Sequence, residues 1–270
     1  MEIAQGFDER NPFSLFFPQS FYYHRHMAHS DRKPLCLLLP GTDGTGYFSM
    51  HFAAALSLHL ETRILSYPAN EAMDYAKLCE YLLPDIPTDR NYILIAESFS
   101  GPLAILMAGM VSHPPDILIL TATFAVTPWP RMALLLKRCL FLTDSVKVPA
   151  WVVAITLLSQ KTKFMAKDIL ASLQAIDRDV LRTRLGAVLD CDVRPQLAAL
   201  DMPIMYIRGR RDRLIPKRCV DDMTAVNRHI TVVEVDAPHF VLQDDPTYLV
   251  SDVIWPFIHA TFSHPRSFRL

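Results

Sequence analysis

Paired cysteines are missing from this chain. Its five cysteines (Cys36, Cys79, Cys139, Cys191 and Cys219) are scattered, odd in number and without a CxxC pair. That pattern offers neither a disulfide framework nor a zinc site, and it points to a reducing cytoplasm. An excess of one charge is missing too. With 27 Lys and Arg against 28 Asp and Glu the net charge is -1, so no global field calls for a nucleic-acid partner. The longest central apolar run, Val148–Leu158, is far short of the ~20 residues that span a bilayer. Residues Met1–Asn11 carry Glu2, Asp8 and Glu9 and no apolar stretch, so they do not read as a signal peptide. The ten histidines show no metal-ligand spacing; His24 and His26 lack a third ligand. No repeat or low-complexity tract occurs.

What is present is a 270-residue chain that is 51% hydrophobic, enough for one large core. Short, nearly apolar runs alternate with helical patterns, which suits a mostly parallel sheet covered on both faces. The strand candidates are Leu35–Leu39, Arg63–Tyr67, Tyr92–Ala96, Ile117–Thr123, Ile204–Ile207 and Thr231–Val235. Helices are expected over Ala72–Leu83, Pro102–Val111, Val220–Val226 and Tyr248–Phe262. Between Pro128 and Leu185 no strand is evident. This segment reads as short helices, including Met132–Leu142 and Ala150–Leu158, forming a lid inserted after the fourth strand. The core domain is then 1–127 with 186–270, and the lid is 128–185.

The strongest local signal is Tyr92–Pro102, where a buried strand runs into Ala96-Glu97-Ser98-Phe99-Ser100 and then a helix. A serine held at the tip of such a sharp turn needs small residues two positions away on each side. Ala96 and Ser100 meet that demand, and Gly101 lets the helix pack closely. A serine after a strand can also be a simple helix cap. Glu97 beside it reads as a pocket-wall or structural residue.

The chain has eight glycines, and three of them, Gly41, Gly44 and Gly46, lie in one loop after Leu35–Leu39. No Gly-Lys-Ser/Thr ending follows, which excludes a phosphate loop and leaves an oxyanion loop or a plain turn. By position, the backbone N–H groups of Thr42 and Phe99 are the oxyanion donors.

Downstream, Asp212 follows the strand Ile204–Ile207 through a Gly209 turn, and His239 follows Thr231–Val235. A serine needs an imidazole to take its proton, and the imidazole needs a carboxylate to fix its tautomer. Ser98, Asp212 and His239 are the candidate catalytic set. Asp212 sits among Arg208, Arg210, Arg211 and Arg213, so an ion-pair role is the alternative. His239 could be a capping residue, and Asp201 and Asp236 are backup acids.

With these residues in place the chain resembles the α/β-hydrolase superfamily along nearly its full length. The resemblance rests on Pro40–Gly46, Glu97–Pro102, Gly209–Pro216 and Pro238–Gln243, and it is closest to compact bacterial serine hydrolases. It implies an α/β-hydrolase fold with a helical lid and an ester or thioester hydrolase acting through an acyl-enzyme. No metal or organic cofactor is implied. Ser98 argues against haloalkane dehalogenases and epoxide hydrolases, which place aspartate at the elbow. Two departures stand out: Pro40 replaces a frequent histidine, and the elbow lacks its usual glycines.

The segment 128–185 holds ten basic residues (Arg131, Lys137, Arg138, Lys147, Lys161, Lys163, Lys167, Arg178, Arg182 and Arg184) against four acidic ones. An apolar lining with a basic rim suits an acyl group on an anionic carrier, such as acyl carrier protein or coenzyme A, and resembles carboxylesterases that demethylate pimeloyl-carrier-protein esters. Ordinary solvated helix faces give the same count. Trp151, Phe164 and Arg138 are the candidate substrate-binding residues. An acyltransferase using the same triad and a non-catalytic binding protein are the other functions considered. Partners are expected to be small acyl esters or thioesters, with no nucleic acid and no membrane span.

Overall fold

A computed structural model describes residues 33–131, 133–135, 138 and 157–263. Six parallel strands form one sheet: β1 (Leu35–Leu39), β2 (Glu61–Ile64), β3 (Tyr92–Glu97), β4 (Ile117–Thr121), β5 (Ile204–Gly209) and β6 (Ile230–Val235), in the spatial order β2-β1-β3-β4-β5-β6. The helices of the described part are α1 (Met50–Leu56), α2 (Tyr75–Leu82), α3 (Ser100–Met110), α4 (Ala166–Ala175), α5 (Arg178–Asp190), α6 (Arg194–Ala198), α7 (Arg218–Val226), α8 (Val241–Asp244) and α9 (Trp255–Ser263), with a three-residue α-helical turn, Pro246–Tyr248, between the last two. A π-helical stretch, Leu249–Ile254, leads into α9.

The continuous apolar strands are explained by two separate cores. Along β1, Leu35, Leu37 and Leu39 pack with α2, α3 and α7, whereas Cys36 and Leu38 pack with α1 and α9. The same alternation continues through β3, β4 and β5, so successive side chains enter opposite layers. A strand with both faces covered has no polar face to show in the sequence.

The inserted segment is pinned at its base. Thr127 N–H donates to Cys191 O at 2.9 Å, Val193 N–H donates to Ala125 O at 2.7 Å, and Val126 bridges Asp192 in antiparallel fashion. The end expected at residue 185 falls inside α5, which continues to Asp190 and is stopped only where this pairing begins. Ala150–Leu158 and Met132–Leu142 lie mostly outside the described residues. The described part of the insertion touches the core through Phe240 N–H to Leu157 O and Asp177 N–H to Ala69 O.

Strand order decides where a site can form. The chain leaves β1 toward β2 and returns to place β3 on the other side of β1. The crevice at that reversal, outside the carboxyl ends of the strands, is where open α/β sheets bind ligands. The Pro40–Gly46 loop and the turn at Ser98 leave β1 and β3 there.

Candidate active site

Ser98 follows the last residue of β3, and its N–H still donates to Thr121 O at 2.9 Å, which continues the sheet by one bond. Its φ is 54°, a left-handed conformation that a non-glycine residue adopts only under local constraint. The constraint is visible. Thr123 Oγ1 donates to Ser98 O, and Gly101 N–H donates to the same carbonyl at 3.2 Å. A Cβ on Gly101 would lie 2.0 Å from Thr123 Oγ1, so glycine is required there. The close packing expected of Gly101 is thus against Thr123, just beyond β4.

The Ser98 hydroxyl lies 2.9 Å from His239 Nε2. On the other side of the ring, His239 Nδ1 is 3.0 Å from Asp212 Oδ2. The second carboxylate oxygen, Oδ1, accepts the N–H groups of Leu214 at 2.8 Å and Ile215 at 2.9 Å. These bonds fix the carboxylate plane and set the tautomer: Nδ1 carries the proton toward Asp212, and Nε2 is free to accept from Ser98. The His239 and Asp212 side chains are 4% and 2% exposed, whereas Ser98 is partly exposed.

The arginines around Asp212 turn elsewhere. Arg208 pairs with Glu234 at 2.9 Å, and Arg211 pairs with Asp236 at 2.9 Å. That pairing also occupies Asp236, while Asp201 is exposed, so neither backup acid reaches the histidine. The histidine loop is brought in by Gly209. A Cβ there would lie 2.4 Å from Pro238 O and 2.6 Å from Ala237 O, so only glycine lets the end of β5 pass this loop.

Phe99 caps α3, whose first N–H groups have no partner within the helix. Tyr75 stacks on its ring at 4.9 Å and donates to its carbonyl at 2.9 Å. The opposing loop is held by Ser100, whose hydroxyl donates to Pro40 O. The residue that replaces the usual elbow glycine therefore ties the two loops together, and the residue that replaces the usual histidine supplies the acceptor.

Glu97 is buried, and burial pushes its carboxyl up to about 7 despite the Gln243 amide that donates to it at 3.1 Å. Gln243 extends from α8, four residues after His239, so the nucleophile strand and the histidine loop are joined below the site. Beside His239, Phe48, Leu158, Ala166 and Ile169 form a small buried apolar cluster with Phe240 packed on it. Phe48 and Phe240 meet edge to face at 6.0 Å.

Of the expected substrate-binding residues, Phe164 is 76% exposed and Arg138 is exposed as well, while Trp151 lies outside the described residues. Arg184, counted among the basic rim, is fully buried against the Pro40–Gly46 loop. Sequence reasoning singled out neither Phe48 nor Phe240, although Phe240 lies within Pro238–Gln243 and Phe48 just after Pro40–Gly46. Among the described residues no group of His, Cys, Asp or Glu is arranged to hold a metal ion, and no helix is long and apolar enough to cross a membrane.

The sequence profile of the Alpha/beta hydrolase family matches residues 21–253. No curated protein sequence matches the chain significantly. Among solved structures, a hydrolase from Pseudomonas aeruginosa superposes with a TM-score of 0.67 at 20% identity, over 88% of this chain and 92% of the other. The enol-lactonase of Burkholderia xenovorans gives 0.66 at 15% identity, over 86% and 92%. An esterase from Thermogutta terrifontis gives 0.62 at 19% identity, over 84% and 90%.

Proposed function

The chain belongs to the Alpha/beta hydrolase family, and from that premise we propose that it cleaves a carboxylic ester or thioester through an acyl-enzyme on Ser98. The observation that carries this reading is the unbroken relay from Ser98 Oγ to His239 Nε2 at 2.9 Å and from His239 Nδ1 to Asp212 at 3.0 Å.

In the proposed reaction His239 takes the Ser98 proton as Oγ attacks the acyl carbon. The imidazolium that forms is stabilised by Asp212 and returns the proton to the leaving alcohol or thiol. The N–H groups of Thr42 and Phe99 hold the oxyanion, each contributing about 3 kcal/mol of barrier lowering. Water, activated by the same histidine, then releases the acid. The chemistry is complete with these side chains and the substrate.

The substrate is read as a small acyl ester, since the apolar cluster of Phe48, Phe240, Leu158 and Ile169 lies beside the histidine. A carrier-borne acyl group is the charged version of the same reading. It is weakened because Arg184 is buried and Lys161 is paired with Asp245 at 3.0 Å.

One panel tests both. A neutral activated ester and an acyl thioester of coenzyme A are turned over at low and high salt, with an added alcohol acceptor. Free acid as the main product, lost in Ser98→Ala, is expected. Transfer to the alcohol as the main product would make the protein an acyltransferase. A steep salt dependence confined to the coenzyme A substrate would favour the carrier-borne version, and equal dependence would remove it.

A further inference from the structure

Arg184 is the largest fully buried side chain of the described protein, and no carboxylate accepts a hydrogen bond from it. Its Nη1 donates to Thr42 O at 2.7 Å and to Asp43 O at 3.2 Å, and its Nη2 donates to Pro68 O. The guanidinium lies 4.8 Å from the centre of the Tyr67 ring. A buried cation held by carbonyls and a π face, with the Asp43 carboxylate acting on it only at a distance, is an expensive way to gain stability. A different return is therefore expected from it, and the carbonyls it holds indicate which one.

Tyr67 grips the neighbouring peptide. Its hydroxyl donates to Gly41 O, with Pro40 O at 3.0 Å, and Gly44 N–H reaches the same Gly41 carbonyl at 3.0 Å. The Tyr67 ring lies so close to Gly44 that a Cβ there would meet it at 2.5 Å. In a trans peptide the C=O of one residue and the N–H of the next point in opposite directions. Anchoring Gly41 O from behind thus aims the Thr42 N–H the other way, away from Tyr67. Arg184 anchors the next carbonyl, Thr42 O, so the Gly41–Thr42 peptide is held on both sides and cannot rotate without breaking several buried bonds. The Ser98 carbonyl, gripped by Thr123 and Gly101, fixes the Phe99 N–H in the same way.

We propose that Arg184 and Tyr67 are positioning residues that lock the Gly41–Thr42 peptide, so that the Thr42 N–H is preset for the oxyanion. This rests on the acyl-enzyme reading above. It also gives the inserted segment a role in the reaction, because α5 delivers Arg184 to a loop that follows β1.

The test uses Arg184→Lys, Arg184→Ala and Tyr67→Phe, with melting temperature as the fold control. Rates are normalised to the fraction of Ser98 that a fluorophosphonate titrates. For Tyr67→Phe and Arg184→Lys, kcat is expected to fall about ten- to hundredfold with KM nearly unchanged. The wild-type preference for a boronic-acid transition-state analogue over substrate is expected to shrink in parallel. Added guanidinium is expected to restore part of the rate of a folded Arg184→Ala. A merely structural arginine would lower melting temperature and titratable sites without moving kcat per site. Folded Tyr67→Phe and Arg184→Lys with wild-type kcat per site would overturn the inference, even if Arg184→Ala fails to fold. A wild-type protein in which Ser98 does not react would instead overturn the hydrolase reading, and this inference with it.

Discussion

Glu97 shows how one residue can be both buried and chargeable next to Ser98. Burial holds its carboxyl at about 7, well above the usual carboxylate range. The unfolded chain loses this proton at lower pH than the folded one, so the group destabilises the fold progressively as pH rises from about 4.5 to about 7. Glu97→Gln keeps the shape and removes the charge. Measured by urea unfolding, the variant is expected to gain about 1–3 kcal/mol relative to wild type between about pH 5 and pH 8. An unchanged difference across that range would show that Glu97 does not titrate there. At this scale the sequence was informative where a motif places a residue after a strand, as for Ser98, Asp212 and His239. It was silent where the partner is remote. Arg184 looked like one more basic residue of a charged segment because the carbonyls that bury it, Thr42 O and Pro68 O, belong to distant loops.

At the scale of elements, loops are brought together by close approach of backbone. Gly209 ends β5 against the Ala237 and Pro238 carbonyls that precede His239. Gly209→Ala must push that loop outward by roughly 0.6–1 Å to turn Cβ contacts of 2.4 and 2.6 Å into ordinary ones. It is expected to lower kcat about a hundredfold, since a misplaced catalytic group of that order carries such a cost, and to lower stability by about 1–3 kcal/mol. Rate measurements and thermal melts check the two together; a fully active, fully stable variant would remove the loop contact from the account. The strands themselves were legible, because burial on both faces leaves nearly pure apolar runs. β2 was read as Arg63–Tyr67 but pairs over Glu61–Ile64. Leu65 still donates to Leu38 O at 2.9 Å, but Tyr67 has left β1 for Gly44 O, so apolarity there marks burial beyond the paired residues, and β2 is an edge strand paired with β1 alone. The last helix, read as continuous from Tyr248, begins as a short α turn over Pro246–Tyr248, is π-helical over Leu249–Ile254 and returns to α-helix at Trp255. Pro256, which has no N–H to donate, stands where the π-helical bonding, ending with Trp255 N–H to Val250 O, gives way to the α-helix.

For the whole molecule, strand order converts six local choices into one site. The reversal between β1 and β3 puts the glycine-containing loop beside the serine turn, and β5 and β6 bring Asp212 and His239 to the same carboxyl edge. The inserted segment reaches this edge at the histidine loop through Leu157 and at the Pro40–Gly46 loop through Arg184. The order of strands is not written in any single segment of sequence, because strands apolar on both faces carry no mark of which neighbour they pair with. The central claim is that Ser98 is an activated nucleophile. The measurement that tests it most directly is intact mass after exposure to a fluorophosphonate, with Ser98→Ala alongside. One adduct on the wild type and none on the variant is the predicted result. An adduct on both, or none on the wild type even with a small sulfonyl fluoride, would contradict it.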